Sequence, residues 1–261
     1  MREVRKRIQE GFIFSSITNP IPRSQMLPSY EACGMLKLTM KIDLKKEQEA
    51  TLARPVRAYG VLARLLFLTM DVFYGKELTL GKVRLLEILA RVPYQAWEIR
   101  QYHRMNTHFS EKSAVAEAED IIGWGREAQD NEFWHLQVVN EKIKQEGITL
   151  NWFKDTLVPP VATFQYNIFS GLLALLDIQA AFRLNADFED HAEHEYMAFV
   201  KKHPELDEQL AVSDVIKDYG DLKTWGDVFR RIALDERDHM NNSLKRCGRE
   251  SEVVSYLSRQ D

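Results

Sequence analysis

Two segments of this chain carry the same arrangement of ligand-type side chains. In Glu132-Phe-Trp-His135 and Glu236-Arg-Asp-His239 a histidine follows a glutamate by three residues. A further glutamate precedes each pair: Glu87 by 45 residues and Glu189 by 47. Residues i and i+3 share a helix face, so each pair can send a carboxylate and an imidazole to one point. Each interval suits one helix out, a connection and one helix back. The repeat, offset by 102 to 104 residues, therefore predicts an all-α bundle with four ligand-bearing helices. Four carboxylates and two imidazoles in this pattern form the donor set of di-iron carboxylate centres, suited to iron or manganese and poorly suited to copper(I).

Glu87 stands inside an apolar stripe, Leu85-Leu86 on one side and Ile88-Leu89-Ala90 on the other, where a lone carboxylate is costly. Glu132 adjoins Phe133 and Trp134, and His135 precedes Leu136. Glu236 lies in Asp235-Glu-Arg-Asp, which alone reads as an exposed salt-bridged face; its pairing with His239 and the repeat make it a ligand. The third helix offers Glu189, Asp190, His191, Glu193, His194 and Glu195. Glu189 follows Phe188 and shares a face with Tyr196, so it is preferred, and the rest read mainly as a solvated patch. Asn131 and Asp235 each precede a ligand glutamate and are positioned to orient the ligands through hydrogen bonds.

Composition narrows the class. With 35 basic and 39 acidic side chains the net charge is −4, which removes a general electrostatic case for nucleic acid. Apolar residues make up 45% and charged residues 28%, as in ordinary globular domains. Cys33 and Cys247 cannot build a zinc site or a disulfide framework and fit a reducing compartment. The basic start (Arg2, Arg5, Lys6, Arg7) is broken by Glu3 and Glu10 and does not read as a signal peptide; the chain reads as bacterial or already processed.

Residues 1–46, with Pro20, Pro22 and Pro28, read as an irregular arm, and 47–261 as one helical domain. Long helices are predicted at about 48–74, 79–107, 111–145, 161–203 and 222–247, with short turns near 150–157 and 205–217. Gly75, Gly81, Gly147 and Gly220 mark helix stops. Thr224 and Asp227 form a capping pattern, and Pro93 is expected to kink the second helix or open its hydrogen-bond ladder locally. Two stretches, 56–74 and 156–176, are more apolar than a soluble bundle needs, and the second has no charge at all. Prolines, polar residues and internal arginines dilute both. They read either as core helices or as a pair lying in one membrane leaflet, with Arg54, Arg57 and Arg64 at the headgroups.

At the ligand positions the sequence resembles the alternative oxidases, most closely their plastid terminal oxidase branch. Leu86-Glu87-Ile-Leu-Ala-Arg-Val-Pro-Tyr94, Asn131-Glu132-Phe-Trp-His135-Leu136, Glu189-Asp-His-Ala-Glu-His-Glu-Tyr196 and Asp235-Glu236-Arg-Asp-His239 are similar to that family's four motifs, in order, from about residue 50 to 247. The resemblance implies a ferritin-like di-iron four-helix bundle with extra membrane-surface helices. It implies a cyanide-resistant quinol oxidase of a membrane electron-transport chain that reduces O₂ to water without pumping protons. Its implied cofactor is two irons per chain, held by Glu87, Glu132, His135, Glu189, Glu236 and His239, with Tyr196 as a redox-active tyrosine. Its implied partners are ubiquinol or plastoquinol, O₂, a lipid surface and a second copy of the chain. The implied location is monotopic, on the cytoplasmic face of a bacterial inner membrane or on a thylakoid or other organelle membrane. Lys82, Arg84, Leu86, Ala90 and Arg183 are the implied quinol contacts. Here the sequence departs from the family: Lys82 replaces an arginine, and Phe182 and Arg183 stand where a histidine is expected. A di-iron hydroxylase of quinone biosynthesis, a ferritin-like iron-binding protein and a purely structural membrane-surface bundle are the competing readings.

Overall fold

The computed structural model describes residues 42–219 and 222–257. Its α-helices are α1 (Leu44–Ala53), α2 (Val61–Tyr74), α3 (Leu80–Thr107), α4 (Lys112–Gln145), α5 (Val158–Leu176), α6 (Ile178–Lys202), α7 (Asp214–Tyr219) and α8 (Trp225–Arg246). A π-helical turn, Trp152–Leu157, leads into α5, and a 3-10 turn, Pro204–Asp207, follows α6. Among the described residues there is no strand, only one isolated bridge between Leu210 and Thr224. The fold is all-α, as expected. Most of the arm read over 1–46, with Cys33, lies outside the described residues, as does Gly220.

Local chemistry sets the boundaries. Thr79 opens α3 by accepting from the Lys82 amide, and Thr224 opens α8 by accepting from that of Asp227. Gly75 (φ 89°) follows α2 and Gly147 (φ 63°) follows α4, in a left-handed region that side chains with a Cβ rarely enter. Gly81, by contrast, lies within the first turn of α3.

Two expected helices are each divided. The stretch read as 48–74 breaks after Ala53, because Pro55 holds Arg54 extended (φ −75°, ψ 132°). The stretch read as 161–203 breaks at Asp177, whose carboxylate accepts from the Ala180 amide at 2.9 Å and caps α6. Helix α3 runs for 28 residues with Pro93 inside it, close to the stretch read as 79–107.

The closest helix pairs are α3 with α4 and α6 with α8. These two pairs close on each other around the ligand-type residues. On one side lies an aromatic cluster of Tyr94, Trp97, Trp124 and Phe182, in which Trp97 and Trp124 stack at 5.0 Å. On the other, Leu86, Val138, Phe188, Met197, Phe229 and Ile232 belong to the largest apolar cluster. Helices α2 and α5 cover one flank of α3: Leu66 and Tyr74, with Ala162, Tyr166 and Phe169, cluster on Leu85, Leu89 and Val92.

Candidate metal centre

Six buried side chains meet where the two helix pairs face each other. Glu87 comes from α3, Glu132 and His135 from α4, Glu189 from α6, and Glu236 and His239 from α8. They form two overlapping groups: Glu87, Glu132, His135 and Glu236 in one, and Glu132, Glu189, Glu236 and His239 in the other. Within each group the ligand atoms lie within 4.8 Å of one another. Glu132 and Glu236 belong to both. All six sequence-selected ligand positions are thus brought to one place.

Both imidazoles turn Nδ1 toward the carboxylates. His135 Nδ1 lies 3.4 Å from Glu87, 3.4 Å from Glu132 and 3.1 Å from Glu236. His239 Nδ1 lies 2.7 Å from Glu132 and 3.5 Å from Glu236. Four carboxylates against two imidazoles leave an excess of acid even if both rings are protonated, and buried unpaired charge is expensive. Oε2 of Glu189 is buried and makes no hydrogen bond. Cations fit such a chamber in charge and in donor type, so these buried groups can hold metal ions.

Proton affinities record the strain of this acid cluster. Burial pushes the Glu87 carboxyl up to about 8, against the pull of His135. Burial, then the charges of Glu236 and Glu132, holds Glu189 well above the usual carboxylate range. Glu132 also suffers burial, but His239 and His135 outweigh it and bring the group down to about 2. Burial disfavours the charged His239 ring, yet Glu132 and Glu236 raise its affinity well above the ordinary histidine value.

A second layer orients the ligands. Tyr94 donates to Glu189 Oε1 at 2.9 Å and Asn185 donates to the same oxygen at 3.0 Å. Asp235 Oδ2 lies 3.3 Å from Nε2 of His135 and accepts from Asn131 at 3.4 Å, so both residues chosen from sequence stand behind that imidazole. Tyr196, 1% exposed, donates its hydroxyl to Oε1 of Glu87.

Neighbouring residues depart from expectation. Asp190 and Glu193 are fully buried rather than solvated. Arg54 bonds Asp190 at 2.6 Å and Glu193 at 2.7 Å, and Arg57 approaches Asp187 at 3.4 Å. Those two arginines therefore face α6; Arg64 alone of the three is exposed. Arg237, beside the ligand Glu236, is buried and bonds Glu193, Glu47 and Thr51. Reading the third motif as a polar surface missed this network, although the basic residues at 54, 57 and 237 supply the matching charges.

The expected quinol contacts are not gathered into one site. Lys82 is 2% exposed and bonds Asp71 at 2.7 Å and the Gly75 carbonyl at 3.0 Å. Arg84 bonds Asn140 and the Asp155 carbonyl, each at 3.0 Å. Leu86 and Ala90 are buried, and Arg183 is exposed beside Asp177 at 3.5 Å. Among the described residues no helix is long and apolar enough to cross a membrane.

Neither protein-family models nor curated proteins give a match to this chain.

Proposed function

We propose that this chain is a ferritin-like di-iron quinol oxidase that works from one membrane leaflet as a homodimer. The observation that carries the reading is the pair of buried four-residue groups sharing Glu132 and Glu236, with the Tyr196 hydroxyl on Glu87. A pair of irons held in these groups would supply the O₂-binding and electron-relay chemistry, with the electrons coming from quinol.

The residues of the chain do the rest. Glu132 and Glu236, common to both groups, would hold the ions together with Glu87 and His135 in one group and Glu189 and His239 in the other. Tyr94 and Asn185 fix the Glu189 carboxylate, and Asp235 fixes the His135 ring. The apolar shell of Leu86, Phe188, Phe229 and Trp97 excludes water from a reaction that must not release partly reduced oxygen. Two quinols together give four electrons and four protons, which converts one O₂ into two waters. Tyr196 can contribute an electron to this sequence, because its phenol proton already has an acceptor in Glu87 Oε1.

Substrate access is assigned to the apolar flank. Leu86 shares a cluster with Ala63, Phe67 and Met70 of α2, whose opposite face exposes Val61, Leu65, Leu68 and Val72. That flank would meet the lipid in which ubiquinol or plastoquinol dissolves. The test is O₂ uptake by membranes containing the chain, given quinol in the presence of cyanide. Cyanide-resistant uptake yielding water supports the reading. Insertion of oxygen into the quinone ring, or no uptake by a metal-loaded preparation, would overturn it.

A further inference from the structure

Outside the six residues of the ligand chamber, a cavity of about 450 Å³ opens between α3, α4, the start of α6 and the end of α8. Three guanidinium groups line it, Arg100 and Arg104 from α3 and Arg246 from α8, with Glu117 as the one lining acid. Ile121 and Phe182 supply an apolar wall.

The three arginines are unequally satisfied. Arg104 bonds Glu117 at 2.8 Å. Arg246 bonds Asp120 and lies over the Trp124 ring at 4.4 Å, but its Nε is buried and makes no hydrogen bond. Arg100 has neither an ion pair nor a hydrogen bond among the described residues. Burial, with the nearby charge of Arg104, lowers its proton affinity. The one lining acid, Glu117, is bonded to Arg104 and only acts at a distance on Arg100, so three guanidinium groups share one carboxylate of the lining and the buried Arg246 Nε–H has no acceptor; an oxyanion would supply the missing acceptors.

The size and walls say more about the ligand. The space is larger than a bare oxyanion needs, and part of its lining is apolar. Leu175 and Leu176, at the end of α5 just before the α6 residues of the wall, are 64% and 82% exposed. Apolar surface thus continues from the cavity mouth toward the exposed face of α5.

We infer that this cavity binds a phosphate-bearing amphiphile, with Arg100, Arg104 and Arg246 on the phosphate oxygens and its apolar part against Ile121 and Phe182. A glycerophospholipid headgroup and a free phosphate ester share this chemistry. The site is independent of metal at the ligand chamber.

The experiment is calorimetric titration of the full-length, metal-loaded protein with dihexanoylphosphatidylglycerol below its micelle concentration. The expected result is saturable one-to-one binding, with dihexanoylphosphatidylcholine about tenfold weaker. Arg100→Gln should weaken the anionic ligand by a similar factor, Arg100→Lys by less, and Lys154→Gln, a change at an exposed lysine elsewhere, not at all. Helix content measured by circular dichroism checks that each variant is folded. Competition by glycerol phosphate at equal affinity identifies a free ester as the ligand; weak competition identifies the lipid. Equal binding of the anionic and zwitterionic lipids, or an Arg100→Gln protein that binds as the parent does, would overturn the site. Sedimentation with phosphatidylcholine vesicles tests the apolar flank separately, so the membrane reading and this site can fail independently.

Discussion

Tyr196 reaches from α6 to α3 and donates its hydroxyl to Oε1 of Glu87, while Oε2 of the same carboxylate faces His135 Nδ1 at 3.4 Å. One carboxylate therefore separates a buried phenol from the centre. Its ring stacks on Phe229 at 6.1 Å, so packing as well as the hydrogen bond fixes the orientation.

Removing only that hydroxyl separates packing from chemistry. Tyr196→Phe keeps the ring and loses one buried hydrogen bond, for which about 1 kcal/mol of stability is expected. Metal content should be unchanged. Quinol-driven O₂ reduction should fall by at least about tenfold, with partly reduced oxygen released. Oxygen-electrode rates, with a peroxide assay, read the result; parental turnover yielding only water would remove the electron-donor role.

The sharing of Glu132 and Glu236 predicts an asymmetry among ligand variants. Glu132→Ala or Glu236→Ala takes a ligand from both groups and should abolish turnover and most metal. Glu87→Ala or Glu189→Ala takes a ligand from one group and should leave a partly loaded protein. Elemental analysis of the four variants decides it: two irons in the parent are expected, and a single zinc would refute the assignment.

Acidity should tune the metal-free protein in a definite direction. The Glu87 carboxyl sits at about 8 against an ordinary 4.5, so its protonated form supports the fold. That contribution is complete below 4.5 and is lost as pH rises through about 8; Glu189, also raised, acts in the same sense. Glu132, lowered to about 2, contributes above 4.5 and loses its part as pH falls toward 2. Chelated protein should thus be most resistant to urea at mildly acidic pH and weaken on the alkaline side. Metal-loaded protein should lack the alkaline loss, and loading near pH 7 should release protons. Urea melts across pH, with and without chelator, check both.

Arg237 ties α8 to α6 and α1 through bonds of 2.9 Å to Glu193, 2.6 Å to Glu47 and 2.7 Å to Thr51. Arg237→Leu leaves buried carboxylates without this partner and should cost about 3–5 kcal/mol. Pairing it with Glu193→Leu should restore part of the loss, since the second change removes one stranded charge. Denaturant unfolding of the single and double variants measures the coupling.

What the sequence made legible depended on periodic constraint. The ligand positions could be found because two Glu-x-x-His pairs and two lone glutamates recur at matched spacing, and helix geometry turns spacing into direction. Their orienting partners Asn131 and Asp235 were reachable for the same reason. The Arg54, Arg57 and Arg237 pairings described above were not, because they join residues 44 to 190 positions apart, with no local signature. The break at Asp177 was hidden as well: an aspartate between apolar and mixed stretches reads equally as a helix residue or a cap. Burial of Lys82 depends on Asp71 and two carbonyls near the α2–α3 turn, which only the folded chain brings together.

On α5, Val161, Phe164, Ile168, Leu172 and Leu175 are all about half exposed or more, and they recur every three or four residues along one face. Leu65, Leu68 and Val72 do the same on α2, and Trp152 and Phe153 extend the surface through the turn before α5. A contiguous apolar surface of this kind is covered in a working protein. A lipid leaflet would cover it without any helix crossing the bilayer. Leu68→Glu with Leu172→Glu should therefore release the chain from phosphatidylcholine vesicles while leaving helix content and metal unchanged, because both side chains already lie outside the core. Labelling of cysteines introduced at the exposed ends of α5 and α6 should find both on one side of sealed vesicles. Opposite sidedness, or vesicle binding unaffected by the double change, would assign the surface to something other than a leaflet.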